Sequence, residues 1–294
     1  MAPTAGGETY ILYRYNPSFA AAVIFIVLFG LSTLLHMVQL GLRRTWYFIP
    51  FVIGGIFETI GYAARAVNSK QSPNWSTTPY AIQSLMVLLA PTLFAASIYM
   101  VLARIIKLTD GESHSIIKAR FLTATFVTGD VLSFLAQSAG GGMLVQAKTP
   151  DKLKLGQNVI TGGLGIQVLF FGFFIIVAAI FHMRIRAAPS LRSQTVDVPW
   201  QQYLIILYVA STFIMIRSVF RIAEYVMGSD GLLLSHEIYL YIFDATLMFL
   251  MSAVFNVRHP CHIIPNKHDV IRDPESQGSG FELTEPATAH HRKH

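Results

Sequence analysis

This sequence is short of cysteine and short of charge. One cysteine, Cys261, excludes an intramolecular disulfide framework. Only 13% of the 294 residues are charged, whereas a soluble domain carries about 25%. There is no Gly-x-x-x-x-Gly-Lys-Ser/Thr loop, which excludes ATP hydrolysis of that kind. No set of histidines and cysteines has zinc-site spacing, so no metal and no cofactor is expected. His36 and His182 fall near one membrane surface and His236 near the other, roughly 25–30 Å away by helix rise, which excludes one histidine-based hydrolase site. His36 with His182 as haem or metal ligands is a weaker reading than two interfacial side chains. The net charge of +6 comes from residues flanking apolar runs and not from a basic domain, so nucleic acid is not an expected partner. No cleavable signal peptide is expected, since the first apolar run is too long for a signal h-region.

What the chain does have is apolar length. Hydrophobic residues make up 53% of it, and about 20 in a row are needed to cross the hydrocarbon core as a helix. Seven stretches qualify: Ser18–Leu42, Trp46–Val67, Pro79–Ile106, Ala119–Leu144, Val159–His182, Gln202–Met227 and His236–Val257. The expected fold is therefore an all-α, seven-transmembrane helix bundle. Its longest connections, Leu108–Lys118, Val145–Asn158 and Met183–Gln201, leave no room for a soluble domain.

Basic residues set the expected orientation. One side holds Arg43, Arg44, Lys107, Lys118, Arg120, Arg184, Arg186, Arg192, Arg258, Lys267 and Arg272; the other holds Arg14, Lys70, Lys148, Lys152 and Lys154. The richer side is cytoplasmic, which puts the N-terminus outside. The expected organisation is an extracellular segment 1–17, a transmembrane domain 18–257 and a polar, disordered cytoplasmic tail 258–294. Asn74-Trp75-Ser76, the one glycosylation sequon, then lies outside. Cys261 lies just inside; palmitoylation there is disfavoured against an idle thiol.

Ionisable residues within a span are costly and mark function or pairing. The second span carries Glu58, Tyr62 and Arg65, the sixth Arg217, Arg221 and Glu224, and the seventh Glu237, Tyr241 and Asp244. Steps of four and three put each trio on one helix face. The fourth span adds Asp130, Ser133 and Gln137, and the fifth Gln167. Four striped helices imply a shared polar interior. By helix rise, Glu58, Asp130 and Asp244 lie near the midplane, while Arg65, Gln137, Arg221, Glu224 and Glu237 lie further out. The interior is thus expected to open outward, over an inner half nearly free of charge. Glycines at Gly140–Gly142 and at Gly162, Gly163 and Gly165 would let the fourth and fifth helices approach closely; a flexible turn explains the first set equally well.

Five carboxylates (Glu58, Asp130, Glu224, Glu237, Asp244) face three arginines (Arg65, Arg217, Arg221). Each arginine takes a carboxylate, which leaves two to be neutralised or to meet a cation. Antiparallel neighbours predict Arg217 with Asp244 and Arg221 with Glu237 or Glu224. Asp130, with no arginine on its helix, is the candidate spare. The competing view is an ion-pair network that only fixes packing.

These residues carry a resemblance. Tyr15-x-Pro17 precedes the first span, and Glu58-x-x-Gly61-Tyr62-x-x-Arg65 lies in the second. Ala90-Pro91, Ala95-Ala96-x-x-Tyr99 and Arg104 follow in the third, then Asp130, Gln137 and Gly140, then Gly163-x-x-x-Gln167. Arg217-x-x-x-Arg221-x-x-Glu224 with Gly228, and Glu237-x-x-x-Tyr241-x-x-Asp244, complete the set. Over about residues 15–260 the chain resembles the fungal RTA-like, or lipid-translocating exporter, family. The resemblance implies seven helices, an outside N-terminus, and residence in the plasma membrane first and an endomembrane second. It also implies translocation or export of sphingoid long-chain bases, resistance to toxic amphiphiles, and, for a related member, porphyrin traffic. The expected partners are membrane lipids and an amphiphilic small molecule; the oligomeric state is open, and no catalytic residue is assigned. Two rivals stand behind a translocator. A seven-helix sensor or receptor fits the topology, but the inner loops are short and the seventh span lacks Asn-Pro-x-x-Tyr. An intramembrane lipid-modifying enzyme would use the midplane carboxylates for acid–base chemistry.

Overall fold

A computed structural model describes residues 13, 15–147, 149–196, 198–227 and 236–263. Among the described residues there is no strand. Helix α1 (Phe19–Arg43) starts at Ser18, whose hydroxyl accepts the Ala21 N–H at 3.3 Å, satisfying one of the four orphan donors of a helix start. A short 3₁₀ turn, Trp46–Phe48, leads into α2 (Ile49–Ser69), with Pro50 in the first turn, where a missing N–H leaves no bond unmade. Helix α3 (Thr77–Leu108) carries Pro91 in its interior. Then come α4 (Ala119–Gln146), α5 (Pro150–Ala187), the short α6 (Leu191–Thr195), α7 (Trp200–Val226) and α8 (Glu237–Val257). Within α8, Tyr241–Thr246 is a π-helical turn.

Seven helices among the described residues are long and apolar enough to cross a membrane. All seven expected spans are present. Their outward faces are apolar: Leu31 is 62% exposed, Leu34 56% and Leu169 73%. In a water-soluble protein such surface would be buried; here it suits lipid. The fifth helix departs from expectation. It starts at Pro150 and not at Val159. Lys152, Lys154, Gln157 and Asn158 break the apolar run without breaking the helix, because an apolar window detects the bilayer and not the helix end. The expected connection Val145–Asn158 is therefore mostly helical.

α4 packs chiefly on α5 and α3, α2 on α1 and α3, and α7 on α5, α3 and α8. α1 and α8 also meet: Ser32 and Ser252 hydroxyls lie 2.7 Å apart, His36 Nε2 is 3.1 Å from the Ser252 carbonyl, and Gln39 Nε2 donates to the Asn256 carbonyl at 2.9 Å. The carboxy-terminal half of the bundle, towards the end of α8, is packed with aromatic rings. Phe51 lies 4.5 Å from both Phe48 and Phe94, and Tyr99 lies 4.6 Å from Phe174. Aromatic pairs at such spacings contribute beyond area burial, and this half has no need of charge. Residues from 264 onward, with the expected tail, lie outside the described residues, as do Arg14, Lys148 and Gly228.

Candidate functional site

Three helices bring charge to the middle of the bundle. Arg217 on α7 donates through Nε to Asp244 Oδ1 on α8 at 2.5 Å, and both side chains are 1% exposed. Arg217 also donates through Nη2 to the Val87 carbonyl on α3 at 2.9 Å. Proline has no N–H, so the carbonyl four residues before Pro91 loses its helical donor; that carbonyl belongs to Val87. Glu58 on α2 is fully buried, and neither of its oxygens makes a hydrogen bond among the described residues. Asp244 and Arg217 are charged neighbours of it. Tyr62 Oη, Arg217 Nη1 and Asp244 Oδ2 are likewise buried without a hydrogen bond. Buried polar atoms usually have partners, so four side chains converge here with capacity to spare. Asp244 stands in the π turn, a local widening often found at functional sites.

The second set lies at the amino-terminal face, around Arg65. Its Nη2 donates to Glu237 Oε1 at 2.7 Å and to the Tyr15 hydroxyl at 2.9 Å, and its Nε to the Tyr241 hydroxyl at 3.1 Å. The guanidinium also lies 5.4–5.6 Å from the ring centroids of Tyr13, Tyr15 and Tyr241, within reach of a cation–π attraction. Both Glu237 oxygens accept the Ser18 backbone N–H, at 2.9 and 3.0 Å. Tyr13 donates to Gln83 Oε1 at 2.6 Å. Burial pushes the Tyr13 and Tyr15 phenols above their usual value, which keeps both neutral. Tyr13 and Tyr15 thus strap the chain before α1 across this face. An interior open at this face was expected, but these side chains cover it. On α7, Arg221 donates to Glu224 Oε2 at 2.5 Å.

The third set is separate. Asp130 on α4 accepts from the Tyr99 hydroxyl at 2.9 Å and its other oxygen makes no hydrogen bond. One turn on, Ser133 donates to the Gly163 carbonyl at 2.7 Å, and Gln137 Nε2 donates to Ser133 Oγ at 2.6 Å and Gln167 Oε1 at 3.4 Å. These contacts need small residues. A Cβ on Gly163 would stand 2.9 Å from the Ser133 carbonyl oxygen, and one on Gly140 2.8 Å from that of Gly156. Gly141, Gly142, Gly162 and Gly165 have open space instead.

The twelve expected residues therefore divide. Glu58, Tyr62, Arg65, Arg217, Arg221, Glu224, Glu237, Tyr241 and Asp244 lie on α2, α7 and α8; Asp130, Gln137 and Gln167 lie on α4 and α5, facing α3 and each other. The single interior shared by four helices is not what forms: α4 packs chiefly on α3 and α5, so its stripe turns away from the ion pairs. The three arginines take Glu237, Asp244 and Glu224, and Glu58 and Asp130 are left without one. Tyr13 and Gln83 had no periodic signal of their own, although the aromatic pair Tyr13 and Tyr15 just before a span marked an interfacial contact.

At the carboxy-terminal face a cavity of about 400 Å³ is lined by Ile185, Arg186, Pro189, Ser193, Gln194, Trp200 and Gln201. His36 is buried against Phe51, whereas His182 meets Tyr208 at 3.3 Å. No group of three or more His, Cys, Asp or Glu residues placed to hold a metal occurs among the described residues. Asn74 is exposed.

Residues 51–267 match the family model described as RTA1 like protein. The chain belongs to the RTA1-like family. It is 36% identical to protoporphyrin uptake protein 1 of Saccharomyces cerevisiae, covering 90% of this chain and 96% of that one. It is 30% identical to the probable lipid transporter atnI of Emericella nidulans, covering 86% and 68%, and 26% identical to the sphingoid long-chain base transporter RSB1 of S. cerevisiae, covering 83% and 72%. No solved structure matches. Seven apolar helices and this membership make the RTA1-like chain a multi-pass membrane protein.

Proposed function

We propose that this chain translocates amphiphilic lipids of the sphingoid long-chain base type, and that its N-terminus and Asn74 face outward. The observation that carries the reading is Glu58: a fully buried carboxyl group, beside a complete ion pair, with no hydrogen-bond donor of its own. A carboxylate stripped of water must be protonated or meet a cation. An amphiphile with an amine head supplies one. Asp130, the second carboxyl without an arginine, offers a further station on the α3–α4–α5 side. Relatives named as a lipid transporter and a sphingoid long-chain base transporter support the class of cargo. They also favour a carrier over an intramembrane enzyme.

The test is transfer of a labelled sphingoid base between the leaflets of vesicles containing the purified protein. Transfer above that of protein-free vesicles is expected. Binding without transfer would replace the reading by a sensor or receptor, and chemical conversion of the lipid would replace it by an enzyme.

A further inference from the structure

Charge at the centre of the bundle does not close. Asp244 and Arg217 cancel, and Glu58 adds one carboxyl for which no described side chain provides a cation. The other groups around Glu58 do not change this. Tyr62, on its own helix, is neutral in its ordinary form and its hydroxyl makes no hydrogen bond. Arg65 is committed to Glu237, and Arg221 to Glu224. Tyr241 accepts from Arg65. Neighbouring α1 and α3 carry Arg43, Arg104 and Lys107 near their ends, and His36 packs on Phe51, two turns along α2 from Glu58.

We infer that the Glu58 site holds one positive charge at a time, either a proton or the ammonium head of the cargo, so that the two exchange one for one. This rests on the proposed reading of the cargo as an amine-bearing amphiphile. In the empty site the proton sits on a Glu58 oxygen and removes a negative charge from the neighbourhood of Asp244. When an ammonium head arrives, the Glu58 O–H bond breaks, the proton leaves to water, and the carboxylate pairs with the N⁺–H groups. Holding neither cation buries a bare anion, and holding both buries an excess cation. Both are disfavoured in a low-dielectric interior. Arg217 Nη1 and Tyr62 Oη, also without partners, would meet a hydroxyl on the same head group.

The test is binding of a long-chain primary amine to the purified protein, with proton release read from a pH dye in weak buffer. About one proton released per amine bound is expected. By linkage, the apparent affinity should then rise about tenfold per pH unit between pH 6 and 8, where the amine itself stays charged. Glu58→Gln, which mimics the protonated side chain in shape, should bind more weakly and release none, and Glu58→Asp should restore release. Binding by the native protein without proton release would overturn the exchange and leave the cargo reading standing. Release that persists in Glu58→Gln would assign the proton to another group and overturn the site. Failure of the native protein to bind the amine would remove the cargo reading and this inference with it. The native stoichiometry decides the matter even where a variant does not fold.

Discussion

Arg217 occupies the hydrogen-bonding position that Pro91 vacates. The Val87 carbonyl, denied its helical donor by the proline ring, receives Arg217 Nη2 at 2.9 Å. The same guanidinium holds Asp244 on α8, so one side chain ties three helices at mid-bundle.

Arg217→Ala should therefore leave both Asp244 and the Val87 carbonyl unpaired. The expected loss is about 3–5 kcal/mol, as when one partner of a buried ion pair is removed. Arg217→Lys keeps the charge but not the fork geometry and should recover only part of it. Thermal unfolding in detergent measures both; an unchanged midpoint for Arg217→Ala would show that the tie is unimportant.

Glu237 joins Arg65 to the start of α1 through Ser18. Glu237→Gln should loosen residues 15–18 while Arg65 keeps its two tyrosine hydroxyls. Hydrogen exchange should therefore speed up at Ser18 and its neighbours and stay slow in mid-α1. Equal protection in the variant would mean that the tyrosines alone hold the strap.

Asp130→Asn retains an acceptor for Tyr99 and removes the charge. A folded protein that no longer moves the labelled lipid is expected. Full transfer by the variant would take Asp130 out of the mechanism, and failure to fold would place it in the architecture.

Gly140 and Gly141 are adjacent but face different surroundings. Gly140→Val should lower stability by about 1–3 kcal/mol through overpacking against Gly156 and Ile160. Gly141→Ala meets open space and should be neutral or gain up to ~1 kcal/mol in helix propensity. A thermal shift comparison should separate them, with the opposite order contradicting the α4–α5 contact.

On intact cells, an impermeant thiol reagent should label Asn74→Cys and not Lys107→Cys, in a background where Cys261 is Ser. The reverse pattern would invert the proposed orientation.

The seven spans were legible because crossing a bilayer demands an apolar length that leaves an obvious trace. The Arg217–Asp244 pair was legible too, being set by helical spacing and by antiparallel neighbours, whereas the same spacing left Arg221 between Glu237 and Glu224. Arg65–Glu237 was not assigned, because it joins the second span to the last, and sequence carries no distance between them. The direction of the α4 stripe was also hidden: period fixes which residues share a face but not which neighbour that face meets. The donor that Arg217 supplies to Val87 could have been suspected from Pro91, which frees a carbonyl that something must satisfy. The π turn in α8 has no signal in the spacing of Glu237, Tyr241 and Asp244.

The polar contacts between α1 and α8 have a consequence for how the chain is made. Ser32, His36 and Gln39 enter the bilayer with the first helix, yet their partners Ser252 and Asn256 lie on the last. At ~5–20 residues per second of synthesis, the gap from Arg43 to Glu237 amounts to roughly 10–40 s. Until the last helix arrives, Ser32, His36 and Gln39 lack these hydrogen-bond partners, so a chain stopped before residue 237 leaves the three bonds unmade.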